Sequence, residues 1–299
     1  MKIQVMVPAS SANIGSGIDC FGLALPLFLS VTAEPSDKLE IVFSRGFEGE
    51  ISLENNLFMR AAERIFAKAG LKTPPMKIEM QTDIPQSRGL ASSASALVAG
   101  AYCANAWLDS PFSQNELIAE VAALEGHPDN VVPCAAGGFT VAADIKGEIC
   151  YKKLCPEGLR VALAVPDFEL STKIAREALP KNVSLKLACA QLQRASLLVA
   201  SIADGDMDML RAASEDLIFT PARRCLIPGF DEAASAALEK GAYCSMISGA
   251  GPTVMALCSE NTALDASEAM AAAFGLKGIK AASYALQIDF EGARLTIQP

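Results

Sequence analysis

The spacing of apolar and polar positions divides the chain into short segments of two kinds. "KIQVMVP" at 2–8 alternates and predicts a strand ending at Pro8. "LFLSVTAEP" and "LEIVFS" follow, and together they predict a hairpin or meander. "NLFMRAAERIFAKAG" places apolar residues at helical spacing and stops at Gly70. "MKIEMQTDIP" predicts a strand that runs straight into a Gly/Ser-rich turn. "SQNELIAEVAAL" opens with Ser113 and Glu116, the spacing of a capping box, so a helix starts there. "GGFTVAAD" and "LRVALAVPD" predict strands on either side of a turn near 156–158.

The second half predicts helices at "STKIAREAL", "LKLACAQLQRASLLVASIADG" and "DEAASAALEKG". A strand pair, "AYCSMIS" and "PTVMALC", flanks Ser248, Gly249, Ala250 and Gly251. A helix, "NTALDASEAMAAAFG", and a strand, "ASYALQID", come last. Strands and helices mix without a strict βαβα rhythm, which predicts α+β layers. A boundary near residue 160 divides the chain into 1–160 and 161–299.

Composition narrows the function classes. The chain has 299 residues, half of them hydrophobic and a fifth charged, as in an ordinary globular protein. Its net charge of -9 repels a phosphate backbone, and no basic patch offsets it, so no nucleic-acid partner is expected. Nine scattered cysteines, odd in number and without a CxxC, indicate neither a disulfide framework nor a zinc ribbon; they fit a reducing cytoplasm. The opening residues lack the apolar core of a signal peptide. Residues 89–108 carry no charge over the length of a membrane span. They consist mainly of Ala, Ser and Gly with Asn105 inside, so a buried helix is expected and no membrane partner.

The chemistry concentrates in Gly/Ser-rich turns. "PQSRGLASSAS" at 85–95 follows a strand, opens a helix and puts hydroxyls in the first helical turn. Free N–H groups and the positive end of the helix dipole there face an incoming anion. Ser92 and Ser93 can add hydrogen bonds to phosphate oxygens or hold Mg²⁺. The chain contains no GxxxxGK[ST] loop, which excludes the usual P-loop.

That stretch resembles the PxxxGLGSSAA nucleotide loop of the GHMP kinase superfamily, with Ala91 where the family usually has Gly. "VPASSANIGSGIDCFGLAL" at 7–25 resembles its N-terminal substrate motif, and "SGAGPTV" at 248–254 its C-terminal glycine motif. The resemblance implies a two-domain α+β fold, with an N-terminal nucleotide-binding domain and a ferredoxin-like C-terminal domain. It also implies ATP bound by Pro85, Gln86, Ser87, Arg88, Gly89, Leu90, Ala91, Ser92, Ser93, Ala94 and Ser95.

"EGHPDNVVPCAAGG" and "SANIGSGIDCFG" are similar to homoserine kinases in particular. That similarity implies Asn13, Asp19 and His127 on the polar groups of an amino-acid substrate, L-homoserine. "VPDFELSTKIAREALP" and "TPARRCLIPGF" resemble two further segments of that family. They imply Thr172 beside the phosphate and Arg176 and Arg223 on the substrate carboxylate, where guanidinium forks grip well. Phosphoryl transfer needs Mg²⁺ and oxygen ligands for it; Ser93 and Glu125 are the expected pair, with Glu120 a competitor. Asp129 is the nearest carboxylate for a base, and Asn130 can instead simply orient the hydroxyl. A homodimer is a family expectation. Two readings stay open beside an ATP-dependent homoserine kinase of threonine biosynthesis. One is a superfamily kinase for mevalonate, a sugar or an isoprenoid precursor. The other is a catalytically inactive ligand sensor.

Overall fold

The computed structural model describes residues 1–47 and 56–298. Two sheets organise the chain. Strands β1 (Lys2–Ala12), β2 (Phe21–Pro35), β3 (Glu40–Arg45), β4 (Met76–Thr82), β5 (Phe139–Ile145), β6 (Glu148–Leu154) and β11 (Arg294–Gln298) form a seven-stranded sheet. Strands β7 (Arg160–Pro166), β8 (Cys244–Ile247), β9 (Val254–Cys258) and β10 (Ala281–Leu286) form the second, in the order β10-β7-β9-β8, all antiparallel. Helices α9 (Phe230–Glu239) and α10 (Ala263–Leu276) complete a ferredoxin-like βαββαβ unit with those strands. The α+β expectation holds, and the sheets change at residue 160. The last strand returns to the first sheet, pairing with β1.

Several strands depart from the sequence reading. β1 continues past Pro8 to Ala12. Its pairing with β2 shifts between Pro8 and Ala9, so that Pro26 and Leu27 have no partners across the ladder. Pro26 has no N–H to lose there, so the bulge carries the strand onward to Ser10 and Ser11. β2 and β3 are not a hairpin: β4 lies between them, antiparallel to β2 and parallel to β3. Parallel neighbours need a crossover, and helix α1 (Leu57–Lys68) lies on that connection in the chain. The turn at 156–158 follows β6, an unpredicted strand, so β5 and β7 end up in different sheets. β6 escapes periodicity because its polar residues, Lys152 and Lys153 among them, lie largely in solvent.

Helix α1 starts where Asn56 accepts a hydrogen bond from Met59 N–H, and buries Phe58, Met59, Ile65 and Phe66. Each such side chain stabilises the fold by about 1.5–3 kcal/mol. Helix α2 (Ser92–Trp107) lies against it. A Cβ on Gly100 would fall 2.0 Å from the Phe58 carbonyl oxygen, so small residues are what allow the two helices to approach. That contact explains the uncharged stretch at 89–108, which is buried in protein. Among the described residues no helix is long and apolar enough to cross a membrane. Helix α3 (Gln114–Glu125) opens with the expected Ser113–Glu116 capping box and ends at Gly126, whose φ is +95°.

Candidate active site

A cleft of about 420 Å³ lies where the two sheets meet. The N-terminal end of α2 forms its floor. Ala91 caps this helix in the left-handed region, with φ +58°. Asn13 and Ser87 on the cleft wall, and Asp19 bonded to Arg176 beside it, also have positive φ, so four of the seven such non-glycine residues among the described ones cluster here. Such conformations cost about 1–2 kcal/mol each and persist only where surrounding contacts fix them.

Those contacts come from the second sheet. The Ser248–Gly251 turn docks on the Gly/Ser-rich loop ahead of α2: Ser248 Oγ is 2.8 Å from both Gly89 O and Ser11 Oγ, and Gly249 N–H donates to Ala12 O. Gly89 has φ +74°, and a Cβ there would lie 2.3 Å from the Ser248 carbonyl oxygen. Only glycine permits this approach.

The first turn of α2 carries Ser93, whose Oγ donates to Glu125 Oε1 at 2.7 Å. Glu125 is the last residue of α3, so two helix ends bring together the oxygen donors a hard cation such as Mg²⁺ takes. Glu120, the competitor, is held instead by Arg64 at 2.5 Å and Lys68 at 2.7 Å. From the expected nucleotide segment, Gln86 through Ser93 border the cleft, while Pro85, Ala94 and Ser95 do not. Ala94 and Ser95 point into the core.

The polar end of the cleft gathers residues from five segments. Asn13 Oδ1 accepts from Asp19 N–H at 2.9 Å, and its amide donates to Gly249 O. Helix α5 (Thr172–Glu177) begins with Thr172 and carries Arg176 one turn on. Arg176 donates to both carboxylate oxygens of Asp19, at 2.9 and 2.8 Å. Burial pushes the Asp19 carboxyl up, but this guanidinium outweighs it and the net shift is downward. Arg223 ends helix α8 (Phe219–Arg223) and is only 4% exposed. Its Nε and Nη1 donate to the carbonyls of Ala175 and Gly249. Burial lowers its pKa, and the neighbouring Arg176 lowers it further.

After Gly126 the chain presents His127 and Asn130 to the cleft. Asn130 Oδ1 accepts from Ser10 Oγ at 3.0 Å, which fixes its side chain. Asp129 lies behind His127, 1% exposed and off the cleft wall, with Oδ1 2.5 Å from His127 Nδ1. A base role for this carboxylate would therefore have to run through the imidazole. Its Oδ2 has no hydrogen-bond partner among the described residues. The Asp129 hydrogen bond raises the His127 pKa against the opposing effect of burial.

One wall escaped the sequence reading. Phe43 and Phe47, with ring centroids 4.7 Å apart, line the cleft with Leu57 and Met80. Their only signal in the sequence is apolar character near the loop, which core packing explains equally well.

The chain is similar to known proteins along most of its length. Residues 56–138 match the GHMP kinases N terminal domain, and residues 198–276 match the GHMP kinases C terminal domain. A homoserine kinase of Moorella thermoacetica is 42% identical over 278 residues, which cover 92% of this chain and 94% of that protein. A homoserine kinase of Synechocystis sp. is 38% identical over 304 aligned residues, covering 99% of each. The crystal structure of homoserine kinase from Cytophaga hutchinsonii superposes with a TM-score of 0.92 at 32% identity, covering 99% of this chain and 97% of that one. Matched in both its domains and along nearly its whole length, the chain belongs to the GHMP kinases.

Proposed function

We propose that this chain is an ATP-dependent homoserine kinase, forming O-phospho-L-homoserine for threonine biosynthesis. The observation that carries the choice of acceptor is the facing of Asp19 against Arg176, with buried Arg223 beside them. A free α-amino acid presents one ammonium and one carboxylate. It can enter by exchange: Asp19 takes the ammonium while Arg176 and Arg223 take the carboxylate. A neutral alcohol such as a sugar would leave the pair closed, and a hydroxy acid such as mevalonate would open it without satisfying Asp19.

The residues divide between donor and acceptor. Residues 86–93 wrap the phosphates with N–H groups and hydroxyls, and the Phe43–Phe47 wall covers the base. Ser93 and Glu125 would hold Mg²⁺, which when bound neutralises charge on the β- and γ-phosphates. The nucleotide rests on residues of 1–160, whereas the acceptor draws Asp19, His127 and Asn130 from 1–160 and Thr172, Arg176 and Arg223 from 161–299. His127 stands beside the amino-acid site. Asn130, fixed by Ser10, orients the hydroxyl. That oxygen bonds to the γ-phosphorus as the bond to the β–γ bridging oxygen breaks and ADP leaves. In a loose transition state the hydroxyl proton departs late, to solvent, so positioning replaces a strong base.

The same reading includes a cytoplasmic setting, in keeping with nine cysteines that are all unpaired. It also includes a homodimer. Helix α6 (Leu185–Asp204) exposes Leu185, Cys189 and Leu192 at helical spacing, a face a second copy would cover. Sedimentation of a monomer at micromolar concentration would remove the dimer. For the function, ADP release is measured with homoserine, mevalonate, galactose and no acceptor. Release with homoserine alone is expected; release with mevalonate or galactose points to another superfamily kinase, and none at all to the inactive sensor.

A further inference from the structure

Arg88 lies inside the nucleotide loop, where a cation reads naturally as a phosphate ligand. Its guanidinium is committed elsewhere. Although the residue borders the cleft, its side chain is only 11% exposed, and each of its three nitrogens donates to a main-chain carbonyl. Nε donates to Pro166 O at 3.0 Å, Nη1 to Gln86 O at 3.0 Å and Nη2 to Asp167 O at 2.9 Å. The Glu169 carboxylate lies 3.5 Å from Nη1. Two of these carbonyls sit 78 and 79 residues along the chain, where β7 ends. The residues that follow lead directly into Thr172 and Arg176 on α5.

One side chain therefore joins the loop around the phosphoryl donor to the segment that offers the acceptor. Few other links cross there. Leu170 N–H reaches Ser87 O at 3.4 Å, and Ser248 holds Gly89 from a different turn. A guanidinium suits the task, because its planar fork reaches three carbonyls in fixed directions, which a lysine point charge cannot do. Phosphoryl transfer depends on the relative placement of donor and acceptor, and a shift of about 1 Å can cost on the order of 100-fold in rate.

We infer that Arg88 is a positioning residue, its side chain setting the acceptor segment against the nucleotide loop without itself touching the nucleotide. The test uses Arg88→Ala and Arg88→Lys in the full chain, with whichever alcohol the wild type phosphorylates. Turnover is measured at saturating substrates, and ADP affinity and stoichiometry by calorimetry. The expected result is a kcat about 10- to 100-fold lower in Arg88→Ala, with a smaller recovery in Arg88→Lys than a retained charge alone would give. ADP should bind both variants as it binds the wild type, one per chain, which shows that the loop is folded. Weaker ADP binding, with or without slower turnover, would make Arg88 a nucleotide ligand and overturn the inference. Unchanged kcat together with unchanged ADP binding would overturn it equally, leaving Arg88 a tie with no bearing on transfer.

Discussion

Asp19 and Arg176, 157 residues apart in sequence, close on each other through two parallel hydrogen bonds of 2.8 and 2.9 Å at the polar end of the cleft. Neither is deeply buried, so the pair adds little to stability. Its consequence lies in what can replace it. Arg176→Ala should lower kcat/KM for homoserine about 10- to 100-fold, the effect of losing about 1.5–3 kcal/mol of charge-assisted bonding. Lysine should rescue poorly, and the KM for ATP should barely move. Asp19→Asn should instead narrow the preference for homoserine over 4-hydroxybutyrate, which lacks the ammonium. An unchanged preference ratio would remove the exchange from the account.

Ser93 and Glu125 give the second prediction. Their oxygens are 2.7 Å apart at the meeting of two helix ends. Ser93→Ala should slow turnover strongly at saturating Mg²⁺ and ATP, while calorimetry still shows homoserine binding. Wild-type turnover in this variant would show that the hydroxyl takes no part in transfer.

The chain's one histidine makes the third a direct titration. His127 should titrate above the ordinary value of about 6.5, because Asp129 favours the imidazolium. With a raised folded-state pKa, its contribution to stability is fully present below about pH 6.5 and is lost as pH rises through the folded value. In Asp129→Asn the burial effect loses its largest counterweight, although Glu125 and Asp19 still favour the imidazolium, so the NMR midpoint should fall. A midpoint unmoved by this substitution would separate the two residues.

Gly89 supplies the fourth. Gly89→Ala combines an L-residue at φ +74° with a Cβ 2.3 Å from the Ser248 carbonyl oxygen. The backbone term alone costs about 1–2 kcal/mol, and the clash must also push the glycine turn off the loop. A lowered Tm and a loss of turnover should appear together. Native stability with native turnover would show that the contact between turn and loop can relax freely.

Much of this site was legible in the sequence because its parts are local. A Gly/Ser turn that follows a strand and puts hydroxyls in the first turn of a helix aims free N–H groups at an anion, and Ser113 with Glu116 announces a helix start. The family resemblance pointed to Asp19, His127, Arg176 and Arg223; the fold puts His127, Arg176 and Arg223 on the cleft wall and ties Asp19 to Arg176. Three-dimensional partnership was not legible. No periodicity reveals that Arg88 turns toward Pro166 and Asp167, that Asp129 stands behind His127, or that Arg64 and Lys68 claim Glu120. The strand errors have a similar origin: β3 pairs with a strand 30 residues downstream rather than with its neighbour β2, and β11 was missed because its exposed residues carry no buried-face pattern.

The most direct measurement identifies the product. The protein is incubated with Mg²⁺, ATP and L-homoserine, and the mixture is followed by phosphorus NMR. Loss of the γ-phosphate signal should be matched one for one by a phosphomonoester on the homoserine side-chain oxygen and by ADP. Inorganic phosphate in place of that ester, or an ester that forms only when mevalonate or galactose replaces homoserine, would contradict the assignment of this cleft to an amino-acid alcohol.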